Sequence, residues 1–237
     1  MKDPLAKSAK DAKKKKQLAR EEMNDMERLI LASASPRRAM LLRQIGVDFI
    51  QVASDIGEEA IDASDAAHMV ISLSKRKVDA VRRGTEERWV LGADTAVVLD
   101  GLVLGKPQNS ESAARMLSML SGRAHRVLTG LALCDGDNES MVSEVEETVV
   151  WMRQLDQEEI TAYVRTGEPM GKAGAYAIQG LGATLVERIH GCYFNVVGLP
   201  IVRLLRMMRT MQYPYYYKIR IQADREVEKG SGHENVQ

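Results

Sequence analysis

One stretch decides how this chain folds: Leu29-Ile30-Leu31-Ala32-Ser33-Ala34-Ser35-Pro36-Arg37-Arg38. A short apolar run ends at two serines, and a proline then opens a second periodic segment, which predicts a strand, a loop and a helix. Ser35 is a good N-cap because its hydroxyl can accept a backbone N–H. Pro36 suits the first helical position, where no donor is needed. The stretch therefore predicts a strand that leads directly into a capped helix.

The two arginines at the start of this helix are unexpected. Arginine at a helix N-terminus opposes the macrodipole, so structural considerations alone favour Asp or Glu there. The arrangement becomes favourable if an anion lies between free N–H groups, serine hydroxyls and the guanidinium groups of Arg37 and Arg38. Two interpretations follow: a phosphate site, or a capped surface helix whose arginines pair with carboxylates elsewhere.

Length and composition restrict the class of protein. The chain has 237 residues, 45% of them hydrophobic, with 33 basic and 33 acidic side chains. This is enough for one substantial core or for two lobes. An aromatic content of 5% argues against a sheet that stacks single-stranded bases. Zero net charge gives no general attraction to nucleic acid or to a membrane, so neither is expected as a partner.

Cysteine and histidine usage restricts the compartment and the metal. Cys134 and Cys192 lie far apart, which favours a reducing compartment and free, buried thiols. The four histidines are scattered singly, so a zinc site is not expected and any metal would be an oxygen-ligated ion such as magnesium. No apolar stretch is long enough to span a bilayer, and the N-terminus lacks the apolar core of a secretory signal. We expect a soluble, cytoplasmic protein.

The two ends of the chain differ from its middle. Residues 1–27 form a lysine-rich extension without an apolar stripe, which predicts disorder or loose helix. Its run of lysines is either a solvated charge run or a nucleic-acid contact. Residues 209–237 form a tail with four tyrosines, which is either disordered or docked on the body or on a second subunit. The sequence therefore predicts one domain over residues 28–208.

Periodicity and turn residues predict the remaining elements. Ser110 and Asp156 are the expected caps of two of the helices. Strands are predicted at 47–53, 89–99, 102–104, 124–134, 141–152, 184–189 and 191–197, and helices at 64–83, 109–120, 156–166 and 198–208.

Asp94 stands in the middle of the nearly continuous apolar run 89–99, which is typical of a strand buried on both faces. A carboxylate there must be hydrogen-bonded, paired or metal-bound, because an isolated buried charge is very costly. The alternative is that Asp94 points outward and caps a turn. Asp100-Gly101 predicts a tight hairpin that brings Lys106 to the same side as Asp94. Gly105-Lys106-Pro107 can also be read as an ordinary turn.

Glycines are concentrated at residues 171–183, where they alternate with Lys172 and Gln179. Several turn-capable positions in one segment indicate backbone that comes close to a ligand. The segment is not a Walker loop, whose lysine precedes Ser or Thr, and it is not the dinucleotide fingerprint.

Taken in this order, the motifs resemble the Maf family of nucleoside triphosphate pyrophosphatases over about residues 28–208. Individually the motifs are weak, but seven of them occur in register. They are Ser33-Ala34-Ser35-Pro36-Arg37-Arg38, Gly92-Ala93-Asp94-Thr95, Gly105-Lys106-Pro107, Leu120-Ser121-Gly122 with His125 and Thr129-Gly130, Gly167-Glu168-Pro169, Lys172-Ala173-Gly174-Ala175-Tyr176-Ala177-Ile178-Gln179-Gly180, and Gly198-Leu199-Pro200.

The resemblance implies an α/β fold similar to that of inosine triphosphatases. In that fold an elongated mixed β-sheet is flanked by helices, and a central cleft lies between two lobes. It also implies hydrolysis of the phosphoric anhydride bond between the α- and β-phosphates of nucleoside triphosphates, with a divalent metal, Mg²⁺ or Mn²⁺. A homodimer and a link to the arrest of septation and cell division belong to the same expectation.

The resemblance further implies the substrate branch. Arginine at 37 and 38, Lys106 and Gln179 match the branch that acts on dTTP, UTP and some modified pyrimidine nucleotides, rather than the branch that favours 7-methyl-GTP. The alternative function is a nucleotide-sensing module that inhibits septation through a protein partner.

Roles for single residues follow from the same resemblance. Asp94 is the expected catalytic carboxylate, which activates water or holds the metal. The expected phosphate ligands are Ser33, Arg37, Arg38, Lys77 and Lys106, with Gln179 as a contact to substrate or water.

This chain departs from the family pattern at two positions. Gly57 and Gly171 stand where the family usually has acids. The departure at Gly57 shifts the expected second metal ligand to Asp55 or Glu58, and we take Glu58 as that ligand beside Asp94.

Overall fold

The computed structural model of this protein describes residues 28–54, 56 and 65–215. Two short 3-10 helices lie at Ala173–Ala175 and Gly180–Leu185. The α-helices are α1 (Pro36–Gln44), α2 (Ala66–Arg82), α3 (Ser110–Leu120), α4 (Gln157–Arg165), α5 (Tyr193–Val197) and α6 (Ile201–Thr210). The strands are β1 (Leu29–Ala32), β2 (Phe49–Val52), β3 (Trp89–Leu99), β4 (Leu102–Leu104), β5 (Ala124–Asp135), β6 (Ser140–Met152) and β7 (Val186–His190).

Two predicted segments lie wholly or largely outside the described residues: the extension at 1–27, and the tail from residue 216 onward. Within the ranges that the structure covers, no helix combines the length and apolarity needed to cross a bilayer.

The strands form one mixed sheet in the order β2-β1-β3-β5-β6-β7, with β4 also paired to β3. β1 is parallel to both β2 and β3, whereas the other pairings are antiparallel. The hairpin between β3 and β4 turns at Asp100 and Gly101, whose φ values of 49° and 83° are those of a type I′ turn. The predicted mixed sheet and hairpin are confirmed.

One edge of β3 is shared by two short strands that do not meet. β1 ends where Ala32 lies opposite Gly92, and β4 ends where Leu104 lies opposite Val97. Among the described strands, residues 93–96 of β3 therefore have no partner on this edge. Because β1 is parallel to β3 and β4 is antiparallel, the carboxyl ends of both strands point toward this gap. The loops that leave them open a space in the middle of the sheet, as at the switch point of other α/β sheets.

Helices cover both faces of the sheet. On one face, α2 packs over β3 and β5. On the other face, α1 and α6 cover the parallel half of the sheet, while α3 and α4 cover the antiparallel half. The two core clusters on this second face are the two predicted lobes, and the gap in the edge of β3 lies between them.

Two glycines let α2 lie very close to the sheet. A Cβ atom on Gly92 would stand 2.2 Å from the Ser74 carbonyl oxygen, and one on Gly130 would stand 2.4 Å from the backbone of Val70. Only glycine therefore allows this approach. Since Lys77 lies three residues after Ser74 on the same face of α2, the close packing carries its side chain toward β3.

One predicted strand is wrong. Residues 191–197 contain the helix α5, which ends at Gly198 with a φ of 116°. A short apolar run does not by itself distinguish a strand from a buried helix. Here the buried side chain of Asn195 donates to the Val127 carbonyl and to Thr148 Oγ1, both at 2.9 Å, and so it joins α5 to β5 and β6 from above the sheet.

Several caps and boundaries also differ from prediction; the last helix, for example, is predicted at 198–208 and spans Ile201–Thr210. Asn109, not Ser110, caps α3, because its Oδ1 accepts the Ser112 N–H while Ser112 Oγ accepts the Asn109 N–H. The strand predicted from residue 184 begins at Val186, because the preceding residues form a 3-10 helix. The cap predicted at Asp156 is confirmed.

The folded body continues past the predicted boundary at residue 208. Tyr213 and Tyr215 are buried in the core of the parallel half. The ring of Tyr213 packs edge-on against Trp89 at 5.3 Å, and Tyr215 donates to the Ile45 carbonyl at 2.9 Å. These two tyrosines dock on the body, the second of the alternatives that the sequence leaves open. Both cysteines are free, as predicted, although only Cys134 is fully buried.

Candidate active site

A cleft of about 750 Å³ opens at the gap in the edge of β3. Its volume is in the range of clefts that bind small molecules. In the described part of the chain, one carboxylate and five cationic side chains line it: Asp94, Arg37, Arg38, Lys77, Lys106 and Lys172. Such a balance favours a ligand with several negative charges.

The turn between β1 and α1 forms one side of the cleft. Ser35 caps α1 by accepting the Arg38 N–H at 3.5 Å, with Pro36 at the first helical position, as predicted. Gln51 of β2 donates to the Ser33 carbonyl at 2.8 Å and holds the turn in place. Both Ser33 and Ser35 line the cleft.

Arg38 is fixed by three hydrogen bonds. Its Nη1 donates to Ser33 Oγ and its Nη2 to Thr95 Oγ1, both at 2.9 Å, and its Nε donates to the Gly198 carbonyl at 2.8 Å. The residue is only 8% exposed. Burial lowers the pKa of Arg38 and the nearby Asp94 opposes this, yet a guanidinium remains charged in proteins. The surface-helix alternative is therefore wrong for Arg38, whose charge is fixed inside the cleft.

Asp94 is paired with Lys77. Lys77 Nζ donates to Asp94 Oδ1 at 2.5 Å and to the Ala93 carbonyl at 3.3 Å, and both charged side chains are largely buried. Burial lowers the pKa of Lys77, and the neighbouring Asp94 raises it in part. The expectation that this carboxylate is paired is confirmed, and the alternative of a turn cap is wrong, since Asp94 lies inside β3.

The Asp94 carboxylate fits a metal ligand. It lines the cleft, and Lys77 donates to its Oδ1. Magnesium in nucleotide sites is commonly held by one or two carboxylates together with substrate phosphates. Residues 28–54, 56 and 65–215 contain no group of three or more acidic, His or Cys side chains that could hold a metal unaided. Glu58, the second predicted ligand, and Asp55 lie outside the described residues.

Arg37 belongs to a second charged group. Burial lowers its pKa, whereas Tyr163 and Glu168 raise it. The Glu168 carboxylate accepts the Tyr163 hydroxyl at 2.9 Å and the backbone N–H groups of Leu181 and Gly182 at 3.1 and 2.9 Å. Burial alone would raise the pKa of Glu168, but these hydrogen bonds outweigh it and hold that pKa below its ordinary value.

Lys172 also lies beside Glu168. Its Nζ donates to the Glu168 carbonyl. Burial and the charge of Arg37 lower the pKa of Lys172, and Glu168 raises it. Arg37 and Lys172 therefore act on each other electrostatically and share Glu168 as a counter-charge.

A buried pair ties this part of the cleft to the sheet. His125 Nε2 lies 2.7 Å from the Tyr176 hydroxyl, and Tyr176 lines the cleft. Burial lowers the pKa of His125 to about 4, so this histidine is neutral at pH 7. The Gly174 N–H donates to the Gly105 carbonyl at 3.1 Å, which joins the segment to the end of β4 just before Lys106.

The sequence predicts eight site residues, and seven of them lie in the described part of the chain. Six of these seven line this one cleft: Ser33, Arg37, Arg38, Lys77, Asp94 and Lys106. Gln179 is the exception: the residue before it, Ile178, is part of the lining, but Gln179 itself is not. Gly171 is in the lining too, with a φ of 72° and open space beside its Cα.

Sequence reasoning did not assign Thr95, Lys172 or the Gly198 carbonyl. Thr95 follows Asp94 directly, and Lys172 stands in the glycine-rich segment, so both had a local signal. The Gly198 carbonyl is separated from Arg38 by 160 residues, and no local pattern predicts such a contact.

Known proteins resemble this chain over most of its length. A family model described as "Maf-like protein" matches residues 28–211. A dTTP/UTP pyrophosphatase from Symbiobacterium thermophilum is 50% identical over 191 residues, which are 81% of this chain and 97% of that protein. A protein of the same name from Geobacter metallireducens is 49% identical over 189 residues, which are 80% and 98% of the two chains.

A solved structure is similar at a coarser level. A HAM1 protein from Coxiella burnetii superposes with a TM-score of 0.40 and 14% identity, covering 56% of this chain and 76% of that one.

Proposed function

Since this chain belongs to the family of Maf-like proteins, we propose that it is a nucleoside triphosphate pyrophosphatase that hydrolyses dTTP and UTP. The products are the nucleoside monophosphate and pyrophosphate, from cleavage of the anhydride bond between the α- and β-phosphates. The observation that carries this proposal is the Asp94 carboxylate among five cations, which are the charged side chains that the described residues contribute to the cleft. The names of the two relatives support the choice of substrate.

The cations bind and polarise the triphosphate. Phosphoryl transfer depends mainly on positioning and on neutralising the charge that develops on the phosphate oxygens and on the leaving group. Arg38 is already held by three hydrogen bonds, so its charge needs no rearrangement when the reaction occurs. One preorganised donor of this kind is commonly worth about 10²- to 10³-fold in rate.

Asp94 is the proposed general base. Lys77 holds one carboxylate oxygen at 2.5 Å, which orients the other toward a water molecule beside the bound phosphates. A divalent metal, Mg²⁺ or Mn²⁺, would be held by Asp94 and the substrate phosphates, with Glu58 as the proposed second ligand. When bound, it would neutralise phosphate charge and add to the positive field of the cleft.

The sensing alternative receives no specific support from the cleft. A protein that only senses a nucleotide gains nothing from a carboxylate beside the phosphates, because like charges weaken the binding of the anion. A carboxylate held in place by Lys77 is useful when a proton has to be accepted from water.

The remaining expectations from the sequence are proposed here as well. A preference for pyrimidines is supported by the names of the relatives, and its extension to modified pyrimidines is proposed from the family resemblance. Gln179 remains a proposed contact to substrate or water. A cytoplasmic location would place the protein with its nucleoside triphosphate substrates. The homodimer and the link to cell division are proposed from the family resemblance alone.

The experiment is an analysis of products with magnesium and a panel of nucleoside triphosphates. Anion-exchange chromatography should show UMP and pyrophosphate appearing in equal amounts from UTP, with dTTP turned over similarly. The Asp94→Asn variant is the matched control for a contaminating phosphatase. Release of orthophosphate and UDP, or the absence of turnover with every nucleotide, would contradict the proposal.

A further inference from the structure

A chain of hydroxyl groups leads from Arg38 across the sheet to α5. Arg38 Nη2 donates to Thr95 Oγ1, and that oxygen lies 2.9 Å from Thr129 Oγ1. Thr129 Oγ1 in turn donates to the Asn195 carbonyl at 3.1 Å. Thr95 and Thr129 lie opposite each other in β3 and β5, and Thr129 is fully buried. Thr95 lines the cleft but Thr129 does not, so Thr129 can affect a bound ligand only through other residues.

The carbonyl at the far end of the chain fixes the direction of each hydrogen bond. A backbone carbonyl only accepts, so the one proton of the Thr129 hydroxyl points to Asn195. In its contact with Thr95, Thr129 must therefore accept, and Thr95 directs its own proton to Thr129. Thr95 then presents only lone pairs to Arg38, which is what a guanidinium N–H requires. Hydrogen bonds aligned in this way strengthen one another in a low-dielectric interior.

The side chain of Asn195 anchors α5 to the sheet. Its amide nitrogen donates to the Val127 carbonyl and to Thr148 Oγ1, both at 2.9 Å. Thr148 Oγ1 also accepts the Cys192 N–H at 3.0 Å and donates to the Cys192 carbonyl at 3.1 Å. Asn195 and Thr148 are both fully buried. Because α5 has only five residues, too few for a helix that is stable alone, its position depends on contacts of this kind.

α5 also reaches Arg38 by a direct route. Gly198 ends the helix with a φ of 116° and donates its N–H to the Asn195 carbonyl at 2.9 Å. The Gly198 carbonyl accepts Arg38 Nε at 2.8 Å. A Cβ on Gly198 would lie 3.5 Å from Thr95 Oγ1 and 3.7 Å from Arg38 Nε, so the two routes meet at one place. Two of the three hydrogen bonds that hold Arg38 thus depend on the position of α5.

The carboxylate and the guanidinium are supported from opposite faces of the sheet. Asp94 and Thr95 are adjacent in β3, and successive side chains of a strand point to opposite faces. Asp94 meets Lys77 of α2 on one face. Thr95 meets Arg38 and Thr129 on the other face. The two charged groups are therefore held by different helices, α2 and α5.

We infer that Thr129 is a positioning residue, which connects Arg38 to α5 and so fixes the guanidinium beside the phosphates. The Thr129-Gly130 motif of the sequence has no other assigned task. The inference rests on the proposed function for its effect on rate, because Thr129 acts on the same substrate through Arg38. An effect on rate is expected, since a preorganised charge loses much of its value when it is displaced.

The test is a double-mutant cycle on the full chain, with Thr129→Val and Arg38→Met made separately and together. Valine has nearly the shape of threonine and removes the hydroxyl between Thr95 and Asn195. Steady-state kinetics with UTP in magnesium buffer should show kcat/KM about 10-fold lower for Thr129→Val, mainly through kcat. In the Arg38→Met background the same substitution should change kcat/KM less than about 2-fold, because the group that it positions is gone.

Two control variants accompany the cycle. Thr129→Ser keeps the hydroxyl and should retain kcat within about 3-fold of the parent. Thr210→Val, which removes a hydroxyl from an exposed position of α6, should change neither kcat nor KM. An unchanged kcat/KM in Thr129→Val, or a loss by the same factor in both backgrounds, would overturn the inference, because the second result is that of a residue with a structural role alone.

Hydrogen exchange of the Arg38 Nε–H measures the positioning without turnover. Its NMR signal in the isotope-labelled full chain, free of ligand, is identified by its loss in Arg38→Met. Exchange with solvent should be about 10-fold faster in Thr129→Val and close to the parent rate in Thr129→Ser. Equal exchange in the parent and Thr129→Val would overturn the inference even if UTP is hydrolysed. A parent protein that hydrolyses no nucleotide would contradict the proposed function instead, and the exchange rates would still decide whether Thr129 positions Arg38.

Discussion

The two ends of the cleft hold their cations in different ways. At the end formed by β1, α1, α2 and β3, Arg38 donates to Thr95 and Lys77 donates to Asp94, and both acceptors lie within the strand β3. At the end formed by residues 168–182, Arg37 and Lys172 interact with Glu168. The Glu168 carboxylate is itself held by the Tyr163 hydroxyl and by two backbone N–H groups of the second 3-10 helix.

This difference separates two tasks. A group that takes part in bond cleavage must be placed to within a fraction of an ångström, and a sheet with a helix packed on two glycines provides such a support. A group that only binds the substrate needs its charge more than an exact position. We therefore expect substitutions at the first end to lower the rate strongly and those at the second end to lower affinity moderately.

The sharpest comparison is between the adjacent arginines. Arg38→Met should lower kcat/KM for UTP about 10³-fold, because it removes a preorganised cation beside Asp94 and leaves three acceptors without their donor. Arg37→Met should lower it only about 10-fold, mainly through KM. Steady-state kinetics on the two variants measures the difference, and equal losses would show that the two ends do not differ.

The close packing of α2 on β3, which supports the first end of the cleft, can be tested at Gly92. Gly92→Ala places a Cβ 2.2 Å from the Ser74 carbonyl, so α2 must move away from the sheet and take Lys77 with it. We expect a loss of about 3 kcal/mol in the free energy of unfolding and about a 10²-fold lower kcat. Gly84→Ala, whose nearest contact is 3.8 Å away, is the matched control. A fully active Gly92→Ala protein would contradict the role given to this packing.

The contact between His125 and Tyr176 joins the second end of the cleft to the sheet. We expect acid to weaken this contact. The pKa of His125 is about 4 in the folded protein and about 6.5 when the chain is unfolded. Below pH 6.5 the unfolded state therefore binds this proton more readily than the folded state does. Stability should fall between pH 6.5 and 4, by about 3 kcal/mol in total, and this term becomes constant below pH 4.

Urea unfolding at a series of pH values measures this dependence. His125→Gln keeps a polar partner for Tyr176 but does not titrate, so its stability should fall by correspondingly less over the same range. Parallel curves for the parent protein and the variant would place the acid sensitivity elsewhere.

The smallest effect is expected at the tyrosine behind the second end. Tyr163→Phe removes the hydroxyl that Glu168 accepts at 2.9 Å, while two backbone donors continue to hold the carboxylate. We expect a loss of about 1 kcal/mol in the free energy of unfolding, measured by chemical denaturation. Tyr193→Phe, at a more exposed position, should have almost no effect. A loss of several kcal/mol from Tyr163→Phe would show that this end is as rigidly built as the first.

The parts of the site that sequence predicts are those set by local chemistry. The Ser35 cap, Pro36 at the first helical position and a paired Asp94 follow from the residue types and their immediate neighbours. The type I′ turn at Asp100-Gly101 also follows from its residue types. Lys106 lines the cleft, as this turn predicts.

The parts that sequence does not predict depend on contacts between distant segments. The gap at residues 93–96 exists because β1 and β4 both stop short on one edge of β3. Strand pairing of this kind is a property of the assembled sheet. Likewise, the short apolar run of α5 is compatible with a strand or a helix. The helix is held by hydrogen bonds from Asn195 to two strands that precede it by more than forty residues.

The central claim is that Asp94 serves the chemical step and is not needed to bind the triphosphate, which the surrounding cations bind and polarise. Single-turnover hydrolysis of UTP, measured by rapid quench beside UTP binding by calorimetry, tests it in the Asp94→Asn variant. Removing a negative charge should leave the affinity for UTP equal or higher, and losing the general base should lower the rate about 10³-fold. A variant that hydrolyses UTP within tenfold of the parent rate, or that fails to bind UTP, would contradict the account.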